Sequence, residues 1–325
     1  MTRRREFLVA AGGSLIAAGL PAFAQQKTYR VGWIATSAAA VGSQFLDALR
    51  LGLRDLGYIE GRNLVLDARW GDDSAARVDA QVADLVAGKP DVIVTQGPTP
   101  VVVVRYSTAI PIVFGFSGDP IQAGFVKSFA KPGGNLTGLS FMALELVGKR
   151  IELLKAVMPG VRRVAILANS QHPGDQAERN ASSAAAAALG LETEYFDWRG
   201  AAQLDSALAA IEKSRCEAAV MFPVQSIIGN SARIAAWSIK ARIPAISGWA
   251  LFAENGNLMS YGCNLRESFR RLASFVDRIL KGARPADLPV ELPQNIEMVI
   301  NLKTAKALGI SVPQSVMLRA DRVIE

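Results

Sequence analysis

The stretch RVGWIATS, Arg30 to Ser37, returns as RVAILANS, Arg163 to Ser170, 133 residues further on, and Leu56-Gly57 returns as Leu189-Gly190 at the same offset. A repeat on this scale constrains the fold strongly, because both copies must bury their apolar faces in the same way. In the first copy the apolar strand precedes FLDALRLGLRDLGY (Phe45 to Tyr58), where Phe45, Leu46, Leu49, Leu53 and Leu56 recur at three- and four-residue spacing and predict one amphipathic helix. NLVLDARW (Asn63 to Trp70) alternates like a half-buried strand, ARVDAQVADLVAG (Ala76 to Gly88) is helical again, and DVIVTQGP (Asp91 to Pro98) reads as a buried strand ended by a turn. The second copy has the same order: RVAILANS, QAERNASSAAAAALG (Gln176 to Gly190), LETEYFDW (Leu191 to Trp198), QLDSALAAIEKS (Gln203 to Ser214) and EAAVMFPV (Glu217 to Val224).

Short apolar strands separated by helices predict an α/β fold, with parallel sheets covered by helices on both faces. Two such units predict two similar lobes with a cleft between them. Open parallel sheets hold ligands beyond the carboxyl ends of their strands, so the segments of interest are ATSAAA, TQGPTP, FSGDP, ANSQHPG, FPVQS and SGWALF. They are rich in Ser, Thr, Asn, Gln and Gly. Such groups hold a molecule by hydrogen bonds more readily than they transform it.

With 325 residues, 50% of them hydrophobic and 20% charged, the chain is long enough for two cored domains and is not a disordered protein. The net charge of +7 includes a basic N-terminus. Removing Arg3, Arg4, Arg5 and Glu6 from the 36 basic and 29 acidic residues leaves 33 and 28, a mild excess scattered along the chain. No dense basic tract with interleaved aromatics follows, so no nucleic-acid partner is expected.

The first 24 residues have the layout of an export signal: MTRRREF is a positive start, LVAAGGSLIAAGL (Leu8 to Leu20) an apolar run too short to span a bilayer, and AFA before Gln25 a small-x-small cleavage site. Arg4-Arg5-Glu6-Phe7-Leu8 also fits the twin-arginine pattern, the alternative being an ordinary secretory signal. Cleavage after Ala24 and a periplasmic location are expected. Cys216 and Cys263 are too few for a disulfide framework, and two separate buried thiols are favoured over one bridge.

Equipment for catalysis is sparse. His172 is the only histidine, in the polar loop SQHPG, and reads as solvated. One His and two distant Cys offer no metal-binding spacing, so neither a metal nor another cofactor is expected. TSAAAVGSQF after the first strand lacks the glycines of a dinucleotide or phosphate loop. Asp72-Asp73 and Glu192/Glu194 fall on helix starts or exposed strand faces and read as solvated.

GLRDLGYIEGRNLVLDARW, LVAGKPDVIVTQGPTPV, IPIVFGFSGDPIQAGFVKSFAKPGGNLTGLS, ILKGARPADLPVE and the ending NLKTAKALGISVPQSVMLRADRVIE together resemble the ABC-transporter substrate-binding proteins of the tryptophan/tyrosine-type group. The resemblance covers about Tyr29 to Glu325. It implies two Rossmann-like lobes of periplasmic-binding-protein type I-like fold joined by a hinge, a small-molecule ligand in the cleft, and delivery to a membrane permease with its ATPase. It implies no catalysis. A monomer is expected.

Carried over residue by residue, the binding loops are Thr36 and Ser37, then Gln96, Gly97, Pro98 and Thr99, then Ser117 to Asp119, Ser140, and from the second lobe Asn169, Gln225 and Trp249. Thr99-Pro100 looks like a helix start, whose amides either bind a carboxylate or are simply capped. Asp119 reads as a turn cap ahead of a ligand contact, and Trp249 as either a ring-stacking wall or lobe packing. Amino-acid-binding members of the group place acids in the loop after the GLS strand and in the P-x-D loop of the second lobe. Here those places read Ser140-Phe141-Met142 and Pro223-Val224-Gln225, so an unpartnered ammonium is disfavoured and an uncharged or carboxylate-bearing, aromatic ligand is expected.

The expected domains are the signal (1–24), a first lobe of 28–141 plus about 258–300, and a second lobe of 142–257 plus about 301–325, with crossovers near Leu139 to Leu144 and Gly248 to Asn257. The rival functions are an exported two-lobed hydrolase and a ligand sensor for a membrane kinase.

Overall fold

A computed structural model describes residues 27–199 and 203–325; the export signal expected from sequence lies outside them. The first repeat folds as β1 (Tyr29–Ala35), α1 (Ala39–Asp55), β2 (Leu64–Trp70), α2 (Ala75–Ala87) and β3 (Val92–Gln96). It continues through α3 (Pro100–Tyr106), β4 (Ile112–Phe116) and β5 (Leu136–Ser140). These strands form a five-stranded parallel sheet in the order β2-β1-β3-β4-β5. The sheet is buried on both faces, so β3, β4 and β5 are continuous runs of buried residues, as parallel central strands require.

After α4 (Ala143–Val157), the second repeat gives β6 (Arg163–Ala168), α5 (Asp175–Ala188), β7 (Glu192–Asp197), α6 (Leu204–Lys213) and β8 (Ala218–Met221). Then come α7 (Gln225–Gly229), α8 (Ser231–Ala241), β9 (Ala245–Ser247), α9 (Ala250–Glu254), β10 (Met259–Cys263) and α10 (Leu265–Leu280). The chain ends with β11 (Ile296–Asn301), α11 (Leu302–Leu308), α12 (Gln314–Met317) and β12 (Arg322–Ile324). The second sheet has seven strands, β12-β11-β10-β9-β8-β6-β7, so the repeated β2-β1-β3 order is matched by β7-β6-β8. α1 starts at Ala39, and because it ends at Asp55, Leu56 falls off its buried stripe and is exposed.

The chain crosses between the sheets three times. The first crossing follows β5, where Met142 takes a left-handed conformation (φ 53°) ahead of α4, which packs on α5. Residues 258–300, expected with the first lobe, divide instead: β10 and β11 pair with each other in the second sheet, and α10 alone of the named elements returns to the first. The second crossing therefore falls at Asn264, whose side chain caps α10 by accepting from Glu267 N, and not within 248–257. The final segment stays in the second sheet through β12.

β11 runs antiparallel to β10, unlike the other pairs of that sheet. The register explains why. Ile296 pairs with Cys263, so the chain re-enters the sheet at the edge it left and must run back.

α10 is held to the first lobe by aromatic packing. Phe269 meets Trp33, Phe45 and Phe141 with ring centroids 5.6, 5.1 and 5.6 Å away. Gly52 of α1 permits the close approach, since a Cβ there would lie 2.4 Å from the Arg270 carbonyl oxygen. Tyr58 Oη donates to Asp277 Oδ1 at 2.9 Å across the same seam. Cys216 and Cys263 are both buried free thiols, and burial pushes Cys263 up to about 12. Among the described residues, no helix is long and apolar enough to cross a membrane.

Candidate functional site

The carboxyl ends of strands from both sheets converge on a cavity of about 250 Å³. Thr36 and Gln96, at the ends of β1 and β3, line it together with Gly97, Pro98 and Ser117. Asn169, Gln225 and Trp249 line it from the second sheet. The remaining expected residues lie outside the wall. Ser37 is buried against Gly42 and Trp70, and Ser140 Oγ accepts from Met142 N at 3.5 Å within the first crossing. Asp119 is a turn cap, its Oδ1 accepting from Ile121 N at 2.7 Å and Gln122 N at 3.3 Å.

Thr99 opens α3, with Pro100 at the first helical position. Its hydroxyl donates to Gln96 O at 3.0 Å, Val101 N donates to Pro98 O, and Val102 N donates to Thr99 O. Those amides are therefore already bonded, and the helix start does not offer the carboxylate site considered from sequence.

Polar and ring contacts cross the cavity region from one sheet to the other. Gln96 Nε2 donates to Gln225 Oε1 at 2.7 Å. Ser117 Oγ lies 3.2 Å from His172 Nε2, and the His172 ring stacks on Phe116 at 5.4 Å and 19°. His172 is thus half-buried and not free in solvent: its loop is polar, but the first lobe covers one side of it. Gly174 N donates to His172 Nδ1 at 3.1 Å, which leaves Nε2 as the protonated nitrogen of the neutral ring, donating to Ser117. Burial lowers its pKa to about 4.

Phe141 and Trp249 form an apolar wall, with rings edge-to-face at 6.2 Å. Gly115 makes room for it, since a Cβ there would sit 2.6 Å from Phe141 Cζ. Phe141 directly follows the expected Ser140, so its place was within one residue of legible.

Two charged residues that sequence did not assign to the site complete the lining. Asp73 was expected on a solvated helix start. It lies at the mouth of the cavity with φ 55°, following Asp72 at φ 48°, and its amide donates to Thr36 O at 2.7 Å. Arg77 pairs with Asp72, whereas Asp73 has no ion-pair partner among the described residues. Partial burial, and then the charge of Asp72, raise the Asp73 pKa above the ordinary carboxylate value. Arg199 lines the opposite side and pairs through Nε with Asp197 at 2.7 Å. The cavity therefore presents one carboxylate, one guanidinium, neutral amides and two rings. The two loops expected to lack acids do lack them, and the carboxylate comes from a third, the turn after β2. The sequence signal was the adjacent Asp pair after β2, whose consecutive left-handed residues set the second at the cavity rim.

A two-sheet α/β frame with such a cavity defines a small-molecule binding protein. The profile of the ABC transporter substrate binding protein family matches residues 43–324, and the chain belongs to that family. Its fold is the periplasmic-binding-protein fold of transporter solute-binding proteins. A tyrosine-binding protein from Clostridioides difficile is 23% identical over 259 residues, covering 79% of this chain and 74% of its own. A solved conserved domain protein from Vibrio cholerae superposes with a TM-score of 0.86 at 26% identity, over 91% of this chain and all of the other. An ABC domain from Streptococcus pneumonia in complex with L-Trp gives 0.85 at 24% identity, over 92% and 100%.

Proposed function

We propose that this chain is the exported, periplasmic solute receptor of an ABC importer. The cavity between the strand ends encloses the solute when the lobes close, and the solute passes unchanged to a membrane permease driven by a separate ATPase. The observation that carries this reading is that both sheets present neutral hydrogen-bonding side chains to one shared space, crossed by the Gln96–Gln225 bond. A binding site of this kind needs a few convergent polar groups and an apolar wall, and Phe141 with Trp249 supplies the wall. The expected hydrolase rival gains no support, because Asp73 has no second carboxylate beside it in the lining.

The solute is a small aromatic molecule bearing a carboxylate. Asp73 readmits the amino acid that sequence disfavoured, since an ammonium at the mouth has a partner, and Arg199 answers the carboxylate. The tyrosine- and tryptophan-binding relatives support this class. Isothermal titration with tryptophan, tyrosine, their deaminated acids and sugars tests it. Saturable 1:1 binding of an aromatic acid with no change in the recovered solute is expected. Sugar binding alone, or consumption of the solute, would sink the reading.

A further inference from the structure

α1 buries Phe45, Leu46, Leu49 and Leu53, and on its opposite side Asp47, Leu51 and Arg54 form an exposed stripe at four- and three-residue spacing. Leu51, 36% exposed, stands on the ridge between two open hollows. One, of about 420 Å³, lies toward the start of β2 and is lined by Ile59, itself 41% exposed. The other, of about 610 Å³, lies toward α10 and Arg266. An apolar ridge flanked by grooves is the kind of surface on which another helix packs, and exposed apolar side chains grouped together mark a contact.

The charges select the partner. Around the two hollows three carboxylates, Asp47, Glu60 and Glu267, are interleaved with four arginines, so the face is close to neutral. An anionic partner such as a lipid surface would be matched by unbroken positive charge instead. Along the stripe the order is acid, leucine, arginine, and Arg54 has no ion-pair partner among the described residues. That order is self-complementary: a second copy of the helix, turned end for end about an axis at Leu51, sets its cation against the acid and its acid against the cation. α1 and α10 both belong to the first lobe, so this face keeps its shape when the lobes close. A permease that must tell a closed receptor from an open one has to touch both lobes, which this face does not offer.

We propose that this face docks a second copy of the chain, forming a two-fold dimer in which the two α1 helices run antiparallel. Leu51 meets the partner's Leu51, and Asp47 pairs with the partner's Arg54. The dimer replaces the monomer expected from sequence and is independent of the solute site. Its test therefore needs no solute and can fail without the receptor reading failing.

Sedimentation velocity of the mature chain, run from about 1 to 100 µM, should show a reversible monomer–dimer equilibrium. Leu51→Lys sets two like charges together on the axis and should weaken the dimer at least about tenfold. Asp47→Arg and Arg54→Asp should each weaken it by a similar factor of about ten, since each leaves two like-charged pairs across the axis. The double variant should return to within about threefold of the wild type, because the exchanged charges match again. All three positions are exposed, so thermal melts should stay cooperative and show that the variants are folded. A wild type that remains monomeric throughout, whether the face then serves another partner or none, overturns the proposal. So does a dimer indifferent to Leu51→Lys, or a double variant that associates no better than the single ones.

Discussion

His172 illustrates how a single side chain takes its chemistry from a partner far along the chain. Its ring is neutral, stacked on Phe116 and bonded at both nitrogens, so a proton on Nδ1 would face the Gly174 N–H. If opening the lobes returns the ring to water, its pKa rises from about 4 to the ordinary 6.5. Above about pH 6.5 the ring is neutral in both states and contributes no pH dependence. As pH falls from 6.5 toward 4, only the open form gains the proton, so closure and solute affinity weaken, and below 4 the loss levels off. Titration at pH 7.5 and pH 5 should show this fall, and the difference between wild type and His172→Gln isolates it from the titration of Asp73. A slope unchanged in His172→Gln would show that the ring stays buried on opening.

Glu178 has the opposite sign. It is fully buried, 3.6 Å from Arg150, and Oε1 has no hydrogen-bond partner. Burial pushes it up to about 8, the attraction of Arg150 only partly offsetting this. A raised acid stabilises the fold below its ordinary pKa near 4.5 and loses that contribution as pH climbs through 8. The unfolding free energy from urea denaturation should be lower at pH 8.5 than at pH 5 by on the order of a few kcal/mol in the wild type, and by less in Glu178→Gln. Neither role was visible in sequence, where each residue sits in a polar local context.

At the scale of elements, α10 is held by where its apolar stripe finds a match. Its strong amphipathic pattern marks it as a helix from sequence alone. Its return to the first lobe depends on a fitted aromatic cluster around Phe269, Trp33, Phe45 and Phe141, together with the small surface of Gly52. Phe269→Ala should cost about 3–5 kcal/mol. Chemical denaturation checks the size, and loss of solute binding out of proportion would indicate that Phe141 has moved from the cavity wall. The strands β10 and β11 show the reverse case: which sheet they join was not legible, because pairing between residues 263 and 296 is set by where α10 lets the chain return.

In the whole molecule, two lobes connected by three crossings behave as one binding unit when a solute bridges them. A ligand that binds only the folded, closed form should stabilise it by about 2.7 kcal/mol at a hundred times Kd. A thermal-shift series against concentration measures this, and small-angle scattering should show a smaller radius of gyration on saturation. A rise in melting temperature with no compaction would mean that the lobes are already closed without solute.

The amino-acid order determined the two α/β units, their helices, and the polar tips that follow each strand, because hydrophobic spacing records which face of a local segment leaves water. The family resemblance pointed to Thr36, Gln96, Ser117, Asn169, Gln225 and Trp249, and all six border the same cavity. Only the tertiary structure decided that Gln96 meets Gln225 129 residues away, that Asp73 and Arg199 face the same space, and that His172 is covered. Burial by a distant lobe leaves no mark in local spacing, so contacts made across the gap could be found only once both copies stood opposite each other.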